Sequence, residues 1–127
     1  ADLLTVSELS LGAYDDEHLL GFVLCLLPKT NYGSLNYAWF NQRYDSFLYV
    51  DRIAVASKHR NKGIGSLLYQ RVLSHGDELD CPVAAEVSSN PPNPGSMRFH
   101  FRNKFKQLGE LHHESKSVTM MMRTKEA

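Results

Sequence analysis

The stretch of sequence that decides the fold is VDRIAVASKHRNKGIGSLL, residues 50–68. It places a strand of β-branched residues, a basic turn and the start of an amphipathic helix in direct succession. The first backbone N–H groups of a helix have no intrahelical partner, and the helix dipole adds about half a positive charge at the same end. Gly63 and Gly65 have no Cβ, so an anionic group can approach the backbone there. The stretch therefore predicts a phosphate cradle.

The glycine spacing of this turn narrows the kind of phosphate ligand. The P-loop pattern Gly-x-x-x-x-Gly-Lys-Ser/Thr does not occur in the chain. The dinucleotide-binding fingerprint does not fit either, because Leu68 stands where its third glycine belongs. What remains is the pattern Arg60-x-x-Gly63-x-Gly65, which lies among further basic residues.

Toward the N terminus, the chain reads mainly as strands. Residues 3–11 alternate between apolar and polar types and predict a strand, and residues 15–17 predict a polar turn. Residues 19–27 form a continuous apolar run, which is typical of a strand covered on both faces. A short helix at residues 36–44 is predicted within the long connection that follows, and residues 47–56 are the next strand.

The hydrophobic period changes after the basic turn. Ile64, Leu67, Leu68 and Val72 recur at helical spacing and predict one buried stripe. Gly76 is positioned to end that helix, since glycine is common just beyond a helix C-terminus.

The rest of the chain predicts strands with one more helix between them. Residues 83–87 read as a short apolar strand and residues 90–94, with three prolines, as a loop. Residues 96–103 read as a helix capped by Asn93 or Ser96, and residues 109–113 and 118–122 read as a closing pair of strands. The order of elements predicts an α/β fold with a mixed sheet.

Composition limits the class of protein further. A length of 127 residues fits one domain covering residues 1–127. The formal net charge of zero argues against a general nucleic-acid binder, and the longest apolar run is too short to span a membrane. No signal peptide is visible, and Cys25 and Cys81, both in apolar surroundings, predict buried reduced thiols. A cytoplasmic location follows from these features.

A second pattern lies downstream of the basic turn. Asn93, Ser96, Phe99, His100 and Phe105 follow the spacing Asn-x-x-Ala-x-x-Phe/Leu-Tyr-x-x-x-Gly-Phe. Together with the first motif, this block resembles the GNAT (GCN5-related) N-acetyltransferases over residues 19–122. The run NPPNPGS followed by FH resembles a poorly characterised branch of that superfamily.

Two positions depart from the pattern of the family. His100 replaces the usual tyrosine, and Lys104 replaces a glycine that normally adopts a left-handed conformation at the helix end. The resemblance implies a mixed, mostly antiparallel sheet flanked by helices. The N-terminal helices are missing or much reduced, so the chain is interpreted as an N-terminally truncated domain.

The resemblance implies acetyl-coenzyme A as the cofactor. The strand that ends at Val55 is expected to separate from the strand at residues 83–87 and to receive the pantetheine arm between them. The residues that the resemblance assigns to the cofactor are Ile53, Ala54, Val55, Arg60, Asn61, Lys62, Gly63, Ile64, Gly65, Ser66, Asn93, Ser96 and Phe99.

The implied reaction is direct attack of a neutral amine on the thioester, which needs a base and an acid. His100 stands at the position of the acid. Asp51 is the first candidate for the base, and Glu86 is the second. In a regular strand Asp51 shares a face with Tyr49 and Ile53, but a bulge would change this parity. A salt bridge between Asp51 and a neighbouring arginine, or a packed His100, is the structural alternative.

Several aromatic residues follow the apolar run of residues 19–27. Tyr37, Trp39, Tyr44 and Tyr49 are candidates for an acceptor pocket, and packing of the same rings on their own domain is the alternative. No metal is expected, because the chain has no ligand cluster of suitable spacing. The resemblance implies that the acceptor is an amine of a small molecule or a peptide. The sequence leaves the oligomeric state open, and a homodimer is one of the alternatives.

Three functions stay open on the sequence alone. The first is an N-acetyltransferase, the second is a non-catalytic acyl-coenzyme A-binding module, and the third is a nucleotide-phosphate enzyme that uses the same turn. Binding of acetyl-coenzyme A against ATP separates the third from the others, and thiol release on a panel of amines separates the first from the second.

Overall fold

The computed structural model describes residues 7–30, 33–59 and 63–125. Its elements in chain order are β1 (Leu9–Asp15), β2 (His18–Leu26), α1 (Leu35–Arg43), β3 (Leu48–Val55), a 3-10 turn (Ser57–His59), α2 (Ile64–Glu78), β4 (Val83–Asn90), α3 (Pro94–Arg102), β5 (Lys106–His113) and β6 (Lys116–Arg123). The predicted α/β class is confirmed.

The strands form one sheet in the order β1-β2-β3-β4-β6-β5. All neighbouring pairs are antiparallel except β3 and β4, which are parallel. A parallel pair needs a crossover connection, and the basic turn with α2 supplies it. The mostly antiparallel sheet flanked by helices agrees with the prediction.

Apolar side chains cover both faces of the central strands. On one face α2 packs over a cluster that includes Val23, Cys25, Leu48, Val50, Leu68, Tyr69, Val72, Val83 and Met121. On the other face α1 packs over a second cluster of Leu26, Tyr37, Phe40, Phe47, Tyr49, Ala84, Met120 and Met122. Burial on both faces explains why β2 and β6 read as continuous apolar runs rather than as alternating ones.

The first strand is displaced relative to the prediction. β1 continues to Asp15 because its backbone pairs with β2 over that length, although its side chains after Leu11 are small, polar or exposed. The polar turn is therefore reduced to Asp16 and Glu17, with Asp16 at a φ of 54°. Residues 3–6 of the predicted strand lie outside the described residues.

Two expectations for α2 were wrong. The helix does not stop at Gly76 but continues to Glu78. Leu67 is 59% exposed, whereas Tyr69 is buried together with Leu68 and Val72. The buried stripe thus runs one residue further round the helix than predicted, because α2 presents its Tyr69 side to the sheet and to α3.

Gly76 is needed for close packing rather than for a turn. A Cβ built there would lie 2.8 Å from Cγ2 of Val83 and 3.2 Å from the carbonyl oxygen of Cys81. We expect Gly76→Ala to lower the free energy of unfolding, because overpacking costs about 1–3 kcal/mol and the gain in helix propensity is only about 1 kcal/mol. Chemical denaturation measures the difference. Gly65→Ala, where the new Cβ meets no atom within 4 Å, is the matched control and should not destabilise.

Helix α3 begins at Pro94, two residues earlier than predicted, and ends at Arg102, one residue earlier. Asn93 is the N-cap of α3, and its Oδ1 accepts a hydrogen bond from the Ser96 N–H at 3.2 Å. Lys104 has a φ of 69°, so the left-handed conformation at the helix end is kept without a glycine. The strain at a non-glycine residue there is about 1 kcal/mol.

Both cysteines are free and buried, as predicted. Burial raises the pKa of the Cys25 thiol to about 12 and also raises the pKa of Cys81, so both thiols stay protonated near neutral pH. Among the described helices, none combines the length and the apolar character that crossing a membrane requires.

Candidate functional site

The sheet opens between β3 and β4. The two strands pair only at Leu48 with Val83 and at Tyr49 with Ala84. Beyond these residues β3 runs on to Val55 without a pairing from β4. The predicted separation of the two strands is therefore observed, and it leaves a gap beside the second half of β3.

A β-bulge in β3 sets which side chains face this gap. Cys25 of β2 pairs with Val50 and Leu24 pairs with Arg52, so Asp51 is the extra residue. Cross-strand partners share a face of a sheet. Ile53, which pairs with Val23, therefore lies on the α2 face with Val50, and Tyr49 lies on the opposite face. The shared face that a regular strand would give Asp51, Tyr49 and Ile53 is thus not formed.

A cavity of about 590 Å³ lies between the second half of β3, the start of α2 and the middle of α3. Its walls comprise Ile53, Ala54, Val55, His59, Gly63, Ile64, Gly65, Ser66, Tyr69, Ser96, Phe99, His100 and Arg102. Among these described residues there is no carboxylate, whereas Arg102 adds a positive charge. The cavity is suited to an anionic ligand.

The glycines at the start of α2 leave this cavity open. Gly63 is the N-cap of the helix and has a φ of 80°, a left-handed conformation in which a side chain would be strained. A Cβ at Gly63 or at Gly65 would meet no atom within 4 Å, so it would project into empty space. The N-terminus of α2 therefore offers backbone N–H groups and an unobstructed approach, which fits a pyrophosphate. Arg60, Asn61 and Lys62 lie outside the described residues.

A second cavity, of about 400 Å³, lies at the gap and is lined by residues of both β3 and β4. It differs from the first in charge, because the carboxylates of Asp51 and Glu86 both line it, together with Arg52. The Asp51 side chain is 6% exposed, and its Oδ2 lies 3.3 Å from the Nε of Arg52. The two carboxylates make this cavity suited to a cationic or hydrogen-bond-donating group such as an amine.

The carboxyl group of Glu86 is buried and hydrogen-bonded. Its Oε1 accepts hydrogen bonds from the Tyr49 hydroxyl at 3.0 Å and from the Asn36 side-chain amide at 3.2 Å. Its Oε2 is buried and has no hydrogen-bond partner among the described residues. Burial raises the pKa of Glu86 to about 7, although the two hydrogen bonds oppose the shift. A carboxyl with such a pKa is suited to take up a proton near neutral pH.

The two cavities share five lining residues, which are Ile53, Ala54, Tyr69, Ser96 and His100. His100 is buried, and its Nε2 lies 2.7 Å from the Tyr69 hydroxyl oxygen. Its Nδ1 lies 2.8 Å from the carbonyl oxygen of Ser96. The shared residues thus mark the place where a ligand in one cavity would meet a ligand in the other.

Most of the residues predicted for the cofactor line the larger cavity. Asn93 does not, because its side chain caps α3. His100 lines both cavities, whereas Asp51 lines only the smaller one. The structure therefore brings the two halves of the predicted site together.

The predicted acceptor residues are not brought together at either cavity. Tyr37 is 1% exposed, and its hydroxyl donates to the carbonyl oxygen of Leu27 and accepts from the Thr30 N–H. Trp39 stacks under the Arg43 guanidinium at 4.1 Å. Tyr44 is half-buried and packs against the second apolar cluster, which lies on the α1 face of the sheet. The three rings of α1 and its C-cap pack on the domain, which was the open alternative. Tyr49 is not among the described residues that line either cavity, although its hydroxyl donates to Oε1 of Glu86.

Three residues that line the larger cavity were not singled out by the sequence interpretation. Tyr69 lies between Leu68 and Val72 in the sequence of α2. A predicted buried face shifted by one residue along the helix would have included it. His59 lies in the basic turn, and Arg102 lies on α3 two residues after His100. The basic character of His59 and Arg102 was the signal that could have assigned these two residues to a phosphate-binding cavity.

Comparison with known families identifies the chain at the level of sequence. The model of the acetyltransferase (GNAT) family matches residues 2–105. A search of curated proteins gives no match.

Comparison with solved structures identifies the fold. Arabidopsis thaliana Naa50 in complex with the bisubstrate analogue CoA-Ac-MVNAL has a TM-score of 0.73 and 20% identity, over 98% of this chain and 78% of that chain. Arabidopsis thaliana NAA60 in complex with acetyl-CoA has a TM-score of 0.69 and 18% identity, over 89% and 73%. A histone acetyltransferase HPA2 and related acetyltransferase from Corynebacterium glutamicum has a TM-score of 0.77 and 16% identity, over 99% and 68%.

Proposed function

Because the chain belongs to the acetyltransferase (GNAT) family, we propose that it transfers the acetyl group of acetyl-coenzyme A to an amine of a small molecule or a peptide. The observation that carries the proposal is the meeting of two cavities of opposite character at the gap between β3 and β4. One has a glycine cradle and no lining carboxylate among the described residues, and the other has two carboxylates. An anionic cofactor and an amine would meet at the residues that both cavities share.

The larger cavity would hold acetyl-coenzyme A. The start of α2, from Gly63 to Ser66, would bind the pyrophosphate through backbone N–H groups, with Arg102 adding positive charge. The free edge of β3 at Ile53, Ala54 and Val55 would hydrogen-bond the pantetheine arm. Acetyl-coenzyme A bound to the Arabidopsis NAA60 structure supports this assignment.

The smaller cavity would hold the amine. Glu86 is proposed as the base that converts the incoming ammonium group into a neutral amine, because its buried carboxyl has a pKa of about 7. Asp51 lines the same cavity and is the alternative base, although Arg52 engages its carboxylate. His100 is proposed to take part in protonating the departing thiolate, without contacting the sulfur itself. The bisubstrate analogue in the Naa50 structure supports a reaction in which both substrates occupy one site.

Acetyl-coenzyme A is expected to stabilise the fold. A ligand that binds only the folded state at about a hundred times its dissociation constant adds ~2.7 kcal/mol to the free energy of unfolding. Differential scanning fluorimetry with acetyl-coenzyme A measures the shift, and ATP is the control for a nucleotide-phosphate enzyme. The absence of a shift at millimolar acetyl-coenzyme A would rule out the proposed cofactor, and a shift with ATP alone would support the nucleotide reading.

One observation favours a second function, a non-catalytic acyl-coenzyme A-binding module. Both ring nitrogens of His100 are hydrogen-bonded within the protein, so the imidazole does not donate directly to a leaving group. Thiol release from acetyl-coenzyme A across a panel of primary amines and peptides separates the two functions. Release that depends on the amine supports the transferase, whereas cofactor binding without release supports the module.

The two reduced thiols also bear on where the reaction takes place. Cys25 and Cys81 are free and buried, which suits a reducing compartment. We propose the cytoplasm, where acetyl-coenzyme A would be available to the enzyme. Fractionation of cells that produce the protein tests this location.

A further inference from the structure

The tautomer of His100 is fixed by its neighbours. Nδ1 lies 2.8 Å from the carbonyl oxygen of Ser96, which can only accept, so Nδ1 carries a proton and donates it. Burial lowers the pKa of His100, which favours the neutral ring. Nε2 then holds a lone pair and accepts a hydrogen bond from the Tyr69 hydroxyl at 2.7 Å. The histidine is therefore a proton acceptor that is reached through a tyrosine.

Tyr69 is held firmly at the junction of the two cavities. Its ring meets those of Phe99 and His100 edge-on, with centroids 5.0 and 5.2 Å away, and Phe105 lies at 5.9 Å. Tyr69 lines both cavities, as does His100. Because the hydroxyl hydrogen is donated to Nε2, the hydroxyl oxygen retains lone pairs that can accept a proton from a ligand.

We propose that Tyr69 is a catalytic residue whose hydroxyl contacts the reacting centre and passes a proton to and from Nε2 of His100. His100 acts through Tyr69 and is a positioning residue that also stores the proton. This inference rests on the proposed acetyl transfer and adds to it a group from α2 that the sequence motifs do not indicate.

The relay balances over one turnover. The amine nitrogen bonds to the acetyl carbon and becomes positively charged, while the π electrons of the carbonyl move to its oxygen. One proton of the amine moves to the Tyr69 oxygen as the Tyr69 proton moves to Nε2. The carbonyl double bond then re-forms as the carbon–sulfur bond breaks, and the electron pair of that bond goes to sulfur. The Tyr69 proton moves to that sulfur, and the proton on Nε2 returns to the Tyr69 oxygen. Both residues end as they began, and the proton taken earlier by Glu86 leaves to solvent.

The turnover test uses Tyr69→Phe, His100→Phe and the double variant. Each single change should lower kcat by about 10²- to 10⁴-fold, the range for general acid–base catalysis, and should leave the KM for acetyl-coenzyme A within about twofold. The double variant should be no slower than the slower single variant, because both residues serve one relay. Tyr14→Phe removes a hydroxyl from a ring that is 64% exposed and lines neither cavity, so it is the matched control. Wild-type kcat in Tyr69→Phe, or effects that multiply in the double variant, would overturn the relay.

A spectroscopic test does not depend on turnover. In the ¹⁵N spectrum of the labelled protein, His100 should be neutral with the proton on Nδ1, and Tyr69→Phe should move the Nε2 resonance toward that of a non-bonded nitrogen. A neutral ring with its proton on Nε2 would overturn the inference even if the protein acetylates amines. A wild-type protein that shows the expected tautomer but releases no thiol with any amine would instead contradict the proposed function, and with it the relay.

Discussion

Gly65→Val should weaken acetyl-coenzyme A binding by at least about 100-fold while the protein stays folded. Gly65 is the second residue of α2 and lines the larger cavity, and its Cβ would meet no protein atom within 4 Å. The branched side chain would therefore occupy the space of the pyrophosphate without a clash inside the protein. Hydrogen bonds to charged groups contribute about 1.5–3 kcal/mol each, and each 1.4 kcal/mol is a tenfold change in affinity, so losing two of them is sufficient.

Isothermal titration with coenzyme A measures this loss, and thermal unfolding of the unliganded variant checks the fold. Gly33→Val is the matched control, because a Cβ at Gly33 also meets no atom within 4 Å and Gly33 does not line the cavity. Gly63→Val is a poorer variant, since the φ of 80° at Gly63 would strain the new side chain and lower stability. Wild-type affinity in Gly65→Val would place the cofactor elsewhere on the protein.

Glu86→Gln should lower kcat/KM by about 10²- to 10⁴-fold, because it removes the proposed base but keeps an oxygen for Tyr49 and Asn36 to hydrogen-bond. In the wild type, kcat/KM should fall as the pH drops below about 7, where the Glu86 carboxylate becomes protonated. A pH–rate profile of both proteins measures the effect, and the acidic limb near pH 7 should be lost in the variant.

The same substitution should not destabilise the fold at pH 8. The folded-state pKa of Glu86 is raised to about 7 from an ordinary value of 4.5, so the folded protein binds more protons than the unfolded chain between these values. Stability contributed by this group is therefore present below about pH 4.5 and is lost as the pH rises through 7. A glutamine does not titrate, so Glu86→Gln does not lose this stability as the pH rises. The difference between the melting temperature of the variant and that of the wild type should therefore increase in favour of the variant from pH 4.5 to pH 8.

Two further substitutions sharpen the assignment of the base. Asp51→Asn tests the alternative base in the same cavity and should reduce kcat/KM less than Glu86→Gln does. Glu114→Gln changes a side chain that is 82% exposed and should leave kcat/KM unchanged. A larger loss in Asp51→Asn than in Glu86→Gln, with the acidic limb retained in the latter, would transfer the role of base to Asp51.

The sequence alone determined the strand that ends at Val55 and the helix that begins at Ile64 with a glycine as its N-cap. These features are local. β-branched residues favour an extended strand, Gly63 tolerates a positive φ, and the first N–H groups of any helix lack partners whatever the rest of the fold does. Ser96 and Phe99, which the resemblance to the family assigned to the cofactor, line the larger cavity.

Tertiary structure alone decided which polar groups lie together at the candidate site. The bulge at Asp51 depends on the register between β2 and β3, and one extra residue moves Tyr49 to the other face of the sheet from Ile53. The raised pKa of Glu86 depends on its burial, and the hydrogen-bond partner of Nε2 of His100 is Tyr69, 31 positions away in the chain. Burial and hydrogen-bond partners are properties of contacts between distant segments, so no local pattern of residues could specify them.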